Sequence, residues 1–311
     1  MTLTEDIRRA AHDLGFVKIG IARAEALEDE GAHLQEWLHR GFNASMAWME
    51  KNSEKRTDPR LLVPGAQSVI AVAENYYVPV THAQSEGEGK ISRYAWGDDY
   101  HIHATKRIQA LLARIKQMAP DEEGRSYVDT GPVMEKAWAA RAGVGWQGKH
   151  SNLITKEYGS WVFLGTIITT LALEYDEPIG DWCGTCTACI DACPTEAIVE
   201  PYVVDAARCI SYQTIEHRGP IDEQLATDFN GWVYGCDICQ DVCPWNRFAK
   251  ATNHAEYEPR QGNVTPSLEE LASMTQEEFS RRFSKSAIKR TKLAGMQRNA
   301  ELIAANAKNK V

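Results

Sequence analysis

Apolar positions along the chain change period several times, and the changes mark its elements. Thr2 and Glu5 have the spacing of a capping box, which predicts a helix running to about Leu14 with Gly15 as its stop. A strand is predicted over residues 17–21, and Trp37, Leu38, Trp48 and Met49 mark a less regular helical stretch. The turn Leu62-Val63-Pro64-Gly65 leads into a strand over 68–73. Between 98 and 118, Ile102, Ile108, Leu111, Leu112 and Ile115 recur at helical spacing, with Pro120 just beyond. A short strand over 126–128 runs into Asp129-Thr130-Gly131-Pro132, where Pro132 is placed to open a helix ending near Gly143. The apolar run 161–173 is shorter than the ~20 residues that cross a bilayer. It contains Gly165 and three threonines and reads as a buried strand. Beyond residue 246, Pro259, Gly262 and Pro266 mark loops, and short helices are predicted over 268–274, 276–283 and 295–307.

Composition adds little to this mixed pattern. With 311 residues, 43% hydrophobic and 25% charged, the chain can bury a real core and is long enough for two or three domains. The first sixteen residues carry acids and no apolar run of the secretory kind, so a cytoplasmic protein with no membrane partner is expected, and a monomer. Charge matters more through its distribution than its total. The net charge is -9, yet from Arg281 onward nine Lys/Arg face one acid, Glu301, a local +8 that leaves -17 for the rest.

All eight cysteines fall between positions 183 and 243. In a reducing compartment such crowding indicates metal ligation rather than disulfides. Cys183, Cys186, Cys189 and Cys193, followed by Pro194, have the C-x2-C-x2-C-x3-C-P spacing of the bacterial ferredoxin run. Cys236, Cys239 and Cys243, followed by Pro244, repeat its last three ligands. Val233 stands where the first would be, and Cys209, 27 positions before Cys236, is the one thiol left to fill that corner. Crossing the fourth ligands as ferredoxins do gives one [4Fe-4S] cluster on Cys183, Cys186, Cys189 and Cys243, and a second on Cys209, Cys236, Cys239 and Cys193. Structural zinc is the alternative for the C-x2-C pairs, but zinc knuckles have no need of the full run.

The cysteine pattern joined to RYAWGDDYH, VDTGPVMEKAWAARAGVGWQGKHSNLI, GSWVFLG and CISYQTIEHRG resembles the epoxyqueuosine reductases, and the likeness extends over nearly the whole chain. The resemblance implies an α+β protein with three parts. Residues 1–175 would form a cobalamin-binding α/β domain, nitroreductase-like as in reductive dehalogenases, 176–250 a ferredoxin-like domain with two clusters, and 251–311 a basic helical tRNA-binding segment. It also implies the reaction: an epoxide on a modified base in the anticodon loop of tRNA loses its oxygen and becomes an alkene. Cobalamin would act as cob(I)alamin, charged with electrons by the clusters from an external donor. No D-x-H-x-x-G cobalamin motif is present, so the corrin rests on kinship alone. Readings from other classes are a dicluster electron carrier and a corrin-dependent reductase of a small molecule.

Within the resemblance, Asp129 matches the family's acid, with an N-cap or Asx-turn as its local alternative. Glu135, one turn along, is a rival carboxylate or a solvated helix residue. Corrin contacts extend to Arg56, Arg93, Tyr94, Asp129, Leu153, Leu164 and Ser211. Trp96, Trp138, Trp146 and Trp161 read as core. His101, His103 and His150 are not assigned to cobalt, and His217 and Arg218 could either line the substrate entrance or face solvent. Arg281, Arg282, Lys285, Lys289, Arg290, Lys292 and Arg298 suit phosphate contacts with tRNA, against the plainer reading of a solvated basic face. Longer relatives continue into helical repeats after a segment like GMQRNAELIAANAKN, which implies a reduced tail here.

Overall fold

A computed structural model describes residues 2–83 and 85–308. The helix Leu3–Asp13 starts on the predicted capping box, with Thr2 and Glu5 bonding each other's backbone N–H. Four strands form one sheet in the order Lys18–Arg23, Ser68–Asn75, Val162–Thr169, Gly124–Tyr127, antiparallel at every contact.

Both faces of this sheet are covered, which is why its central strands read as unbroken apolar runs. Ile70, Val72 and Ile167 point to one face, where the helix Leu3–Asp13 adds Ile7 and the helix Tyr100–Met118 adds Ile108, Leu111 and Ile115. Val69, Ala71, Ala73 and Ile168 point to the other, against Ala137, Trp138 and Ala139 of the helix Glu135–Arg141. Each large aliphatic side chain buried this way contributes about 1.5–3 kcal/mol.

The helix begins at Glu135 rather than at Pro132. Asp129 holds a left-handed backbone (φ 56°), and its N–H donates to both carboxylate oxygens of Glu135 at 2.9 and 3.0 Å. The intervening residues are thereby folded into a loop that closes on the first helical residue.

A further core joins residues far apart in sequence. Ile91, Ala95 and Trp96 pack with Ile210, Phe229, Trp232 and Tyr234, and with Leu271, Phe283, Ile288, Met296 and Ile303. The three stretches expected as separate parts thus share one apolar interior. Asn299, 1% exposed, donates to the carbonyls of Thr214 and Val233, fixing the helix Lys292–Lys308 against the strand Trp232–Tyr234. Trp96, Trp138, Trp146 and Trp161 are all buried, as core residues should be. No helix among the described residues is long and apolar enough to cross a membrane.

Candidate active site

Two cysteine loops of the same local design lie against each other. Cys189 sits on the short helix Ala188–Asp191 and Cys239 on the short helix Ile238–Asp241, and these helices pack together. The second loop is anchored to the sheet domain at two places. Buried Asp237 accepts from Ser92 Oγ (2.5 Å) and from the Arg93 N–H (2.8 Å). Asn246 Oδ1 accepts from the Ser160 N–H (2.7 Å), beside Gly159, where a Cβ would lie 1.9 Å from that oxygen.

The thiols separate into two groups by what they line. Cys183, Cys186, Cys189 and Cys243 border a cavity of about 200 Å³ at the surface, together with Lys149, Trp182 and Trp245. Cys193, Cys209, Cys236 and Cys239 border a second, larger cavity. Cys209, remote in sequence, falls in the second group. Burial, and then the neighbouring Cys243, Cys183 and Cys186, pushes the Cys189 thiol up to about 11, and Cys239 is raised by burial and by Cys209 and Cys193. Thiols that resist ionisation together ionise against a shared cation, so this donor set fits a metal cluster. Lys149, which sequence reasoning passed over, donates to the carbonyls of Gly184 (2.7 Å) and Cys186 (3.0 Å) and brings positive charge to the outer loop.

The larger cavity, about 490 Å³, opens between the sheet and the second thiol group. Val162, Phe163 and Leu164 form one wall and Ile198, Val204 and Ile210 another. Of the expected corrin contacts, Tyr94, Asp129, Leu153, Leu164 and Ser211 line it, and Arg56 and Arg93 do not. Arg56 bonds the carbonyls of Lys51 and Trp48. The Arg93 side chain is 7% exposed: its Nη1 donates to the carbonyls of Val78 and Val80 and its guanidinium stacks on Trp96 and Trp161, while its buried Nε has no partner among the described residues. A wide cleft with apolar walls, a few polar groups and an unpartnered buried His150 Nε2 suits a large flat cofactor.

At the mouth of this cavity the charged groups are ordered by His101. Its Nδ1 lies 2.7 Å from Asp99 Oδ1 and its Nε2 lies 2.9 Å from Asp129 Oδ2. Each nitrogen can meet a carboxylate only as a donor, so the ring carries both protons. Burial alone would lower its pKa, but the hydrogen bonds and charges of Asp129 and Asp99 outweigh burial and raise it to about 9. Burial acts to raise Asp129, and the same bond to His101 overcomes it and holds the carboxyl below its ordinary value. Glu135 is raised to about 8, by burial first and then by the charge of Asp129. Glu135 therefore braces the loop instead of facing solvent, and His101, not assigned to cobalt from the sequence, is the hydrogen-bonded centre of the group. The D-D-Y-H spacing, which puts Asp99 two residues before it, was the available signal.

The basic tail divides into two kinds of residue. Arg298 donates to the carbonyls of Gln213, His217 and Gly219, Arg290 makes a bidentate pair with Glu216, and Arg282 donates to Gly262 O. Arg281, Lys285, Lys289 and Lys292 are exposed and make no ion pair among the described residues. The Lys285 carbonyl accepts from the Asp99 N–H, so this stretch borders the His101–Asp129 mouth. Arg218 donates to the carbonyls of Ile215 and Arg290, and His217 Nε2 lies 2.9 Å from Pro220 O.

An antiparallel-sheet domain with an open cavity, joined to paired cysteine loops, defines an iron-sulfur oxidoreductase. Its cysteine region, residues 182–246, matches the family described as "4Fe-4S double cluster binding domain". Residues 56–130 match "Epoxyqueuosine reductase QueG, DUF1730". The epoxyqueuosine reductase of Synechocystis sp. is 52% identical over 287 residues, covering 91% of this chain and 99% of that protein. A solved epoxyqueuosine reductase with an epoxyqueuosine-modified tRNA-Tyr stem loop superposes with a TM-score of 0.93 at 35% identity, over 98% of this chain and 82% of that one. The Bacillus subtilis enzyme, solved with its catalytic aspartate loop swung out of the active site, gives 0.92 at 33% identity, over 99% and 82%. The chain belongs to the epoxyqueuosine reductase family.

Proposed function

We propose that this chain removes the epoxide oxygen of epoxyqueuosine in the anticodon loop of tRNA, with cobalamin in the larger cavity and a [4Fe-4S] cluster on each thiol group. One observation carries the reading: Asp129 and the thiols of Cys193, Cys209, Cys236 and Cys239 line the same cavity. Bound cobalamin would supply a strongly reducing cobalt nucleophile, and the clusters would feed it electrons singly.

The chain's own residues supply binding and protons. Tyr94, Leu153, Leu164 and Ser211 line the cavity and would hold the corrin from its walls. In the net reaction both C–O bonds break, one C=C bond forms, and two electrons and two protons carry the oxygen away as water. The Asp129 side chain, 58% exposed, lines the same cavity and would face the departing oxygen. Its hydrogen bond to the doubly protonated His101 lets a proton pass from Nε2 through the carboxylate to the alkoxide. Arg281, Lys285, Lys289 and Lys292 steer the phosphates of the stem toward that mouth. A tRNA substrate and eight free thiols favour the cytoplasm as the place of action.

The test is direct. Protein reconstituted anaerobically with iron, sulfide and cobalamin is given an epoxyqueuosine stem-loop and a chemical reductant, and the base is analysed by mass spectrometry. Conversion to the alkene is expected, and an unchanged epoxide with both cofactors bound would overturn the proposal.

A further inference from the structure

Trp182 and Phe248 are 52% and 43% exposed, large apolar side chains open on the same surface. Trp245 links them, with ring centroids 6.4 Å from Trp182 and 5.8 Å from Phe248, and its inner edge packs on buried Trp146 and beside Cys243. The aromatic patch thus runs up to the outer thiol group. Gly184, Thr185, Cys186 and Thr187 beside it are all exposed, so only small uncharged side chains stand over that edge of the loop.

Three exposed cations surround the patch. Lys156 lies 4.1 Å above the Trp182 ring, Arg247 4.6 Å above Phe248 and Lys250 5.3 Å above Tyr158, and among the described residues none of the three pairs with a carboxylate. Of the nearby acids, Glu157 pairs with Lys18, Asp181 accepts from the Tyr202 hydroxyl and the Cys183 N–H, and Asp191 accepts from the Thr187 hydroxyl, so none of them pairs with the three cations. On a chain of net charge -9, unpaired cations gathered around exposed aromatics form a local attractor for a negative surface. The larger cavity borders the other thiol group, so this face lies on the outer thiols and not on those that line that cavity.

We propose that this face is the docking surface for a small acidic one-electron carrier protein, with Trp182, Trp245 and Phe248 as its apolar centre and Lys156, Arg247 and Lys250 as its charged rim. The inference rests on reading the cysteines as cluster ligands. Each encounter oxidises the carrier by one electron and reduces the Cys183, Cys186, Cys189 and Cys243 centre by one, with no bond made or broken. Two encounters supply the pair of electrons that one epoxide consumes.

The test uses the holoprotein and a reduced acidic [2Fe-2S] ferredoxin as probe, following bleaching of the protein's iron-sulfur absorption by stopped flow. With the wild type, the second-order rate should fall steeply as salt is raised. In the variant K156E/R247E/K250E it should be about tenfold or more lower at low salt, and its salt dependence should flatten or reverse. Reduction by photoreduced deazaflavin, a small uncharged donor, should stay within about twofold of wild type. Zero-length carbodiimide coupling of the unaltered protein should join Lys156 or Lys250 to ferredoxin carboxylates. A rate indifferent to the charge reversal, equal losses with both reductants, cross-links formed elsewhere or between two copies of this chain, or competition by a stem-loop RNA would each overturn the docking surface. Absence of bleaching with either reductant in the wild type would overturn the cluster reading itself, a distinct result.

Discussion

Asp129 holds a backbone conformation that costs a non-glycine residue about 1 kcal/mol or more, and it is held there by bonds at both ends of the residue. Its N–H is fixed by Glu135 and its carboxylate by His101. Asparagine enters the left-handed region as readily and keeps one oxygen for His101, so Asp129→Asn should fold normally. It should nonetheless lose about 10²–10⁴ in turnover of the stem-loop, since an amide cannot pass a proton onward. Near-normal turnover in a single-turnover assay would remove Asp129 from the chemistry. The pH profile assigns the source of the proton. His101 is raised to about 9, so its proton is fully present below the ordinary histidine value of ~6.5 and is lost as pH climbs through about 9. Turnover should therefore decline above that value, and thermal stability should decline over the same window. His101→Gln should abolish this limb, whereas Glu135→Gln, which removes the carboxyl titrating near 8, should leave it in place.

At the scale of elements, the sequence was most informative where local pattern and burial agree. The helix Tyr100–Met118 and the strands Ser68–Asn75 and Val162–Thr169 could be read because their apolar positions face the interior with the period of the element. The two-residue strands Lys90–Ile91 and Leu153–Ile154 could not, being too short to show any period, whether held by the distant strand Trp232–Tyr234 or by the nearby Trp146–Gln147. The helix start at Pro132 failed for a related reason: Glu135 bonds backward to Asp129, a tertiary use of a residue that pattern alone assigns to a solvated face. The opposite holds for the cysteine module, where ligand spacing is itself the local constraint. Cys209, though remote in sequence, comes to the inner group because it stands at the start of the helix Ile210–Ile215, packed against the strand Trp232–Tyr234. Cys209→Ser should then disturb one centre only, reducing iron from about eight to about four atoms per chain. Full iron content by colorimetric assay, or loss of all iron from a folded protein, would refute that placement.

At the scale of the whole molecule, charge and redox groups are arranged along one path. Cations with no carboxylate partner occur beside the outer thiols and again beside the His101–Asp129 mouth, on a chain otherwise rich in acids. The seven tail cations are not equivalent, and structure separates what charge counting joins. Arg298 is bound to three carbonyls and to Asn299, so Arg298→Gln should lower stability by about 1–3 kcal/mol, leaving part-buried carbonyls unpaired. Its effect on RNA binding should follow that loss and carry little salt dependence of its own. Lys289 and Lys292 are exposed and unpaired, so the variant K289E/K292E should keep its melting temperature and weaken binding of an anticodon stem-loop. If both lysines meet phosphates, the slope of log affinity against log salt should shrink by about two. An unchanged slope would move the RNA away from this surface, and a collapsed slope in Arg298→Gln without loss of stability would reverse the division of labour argued here. The same measurement on K156E/R247E/K250E should show RNA binding unaltered, because that cation group surrounds the outer thiols, whereas the proposed entry for the modified base is the cavity on the other thiol group.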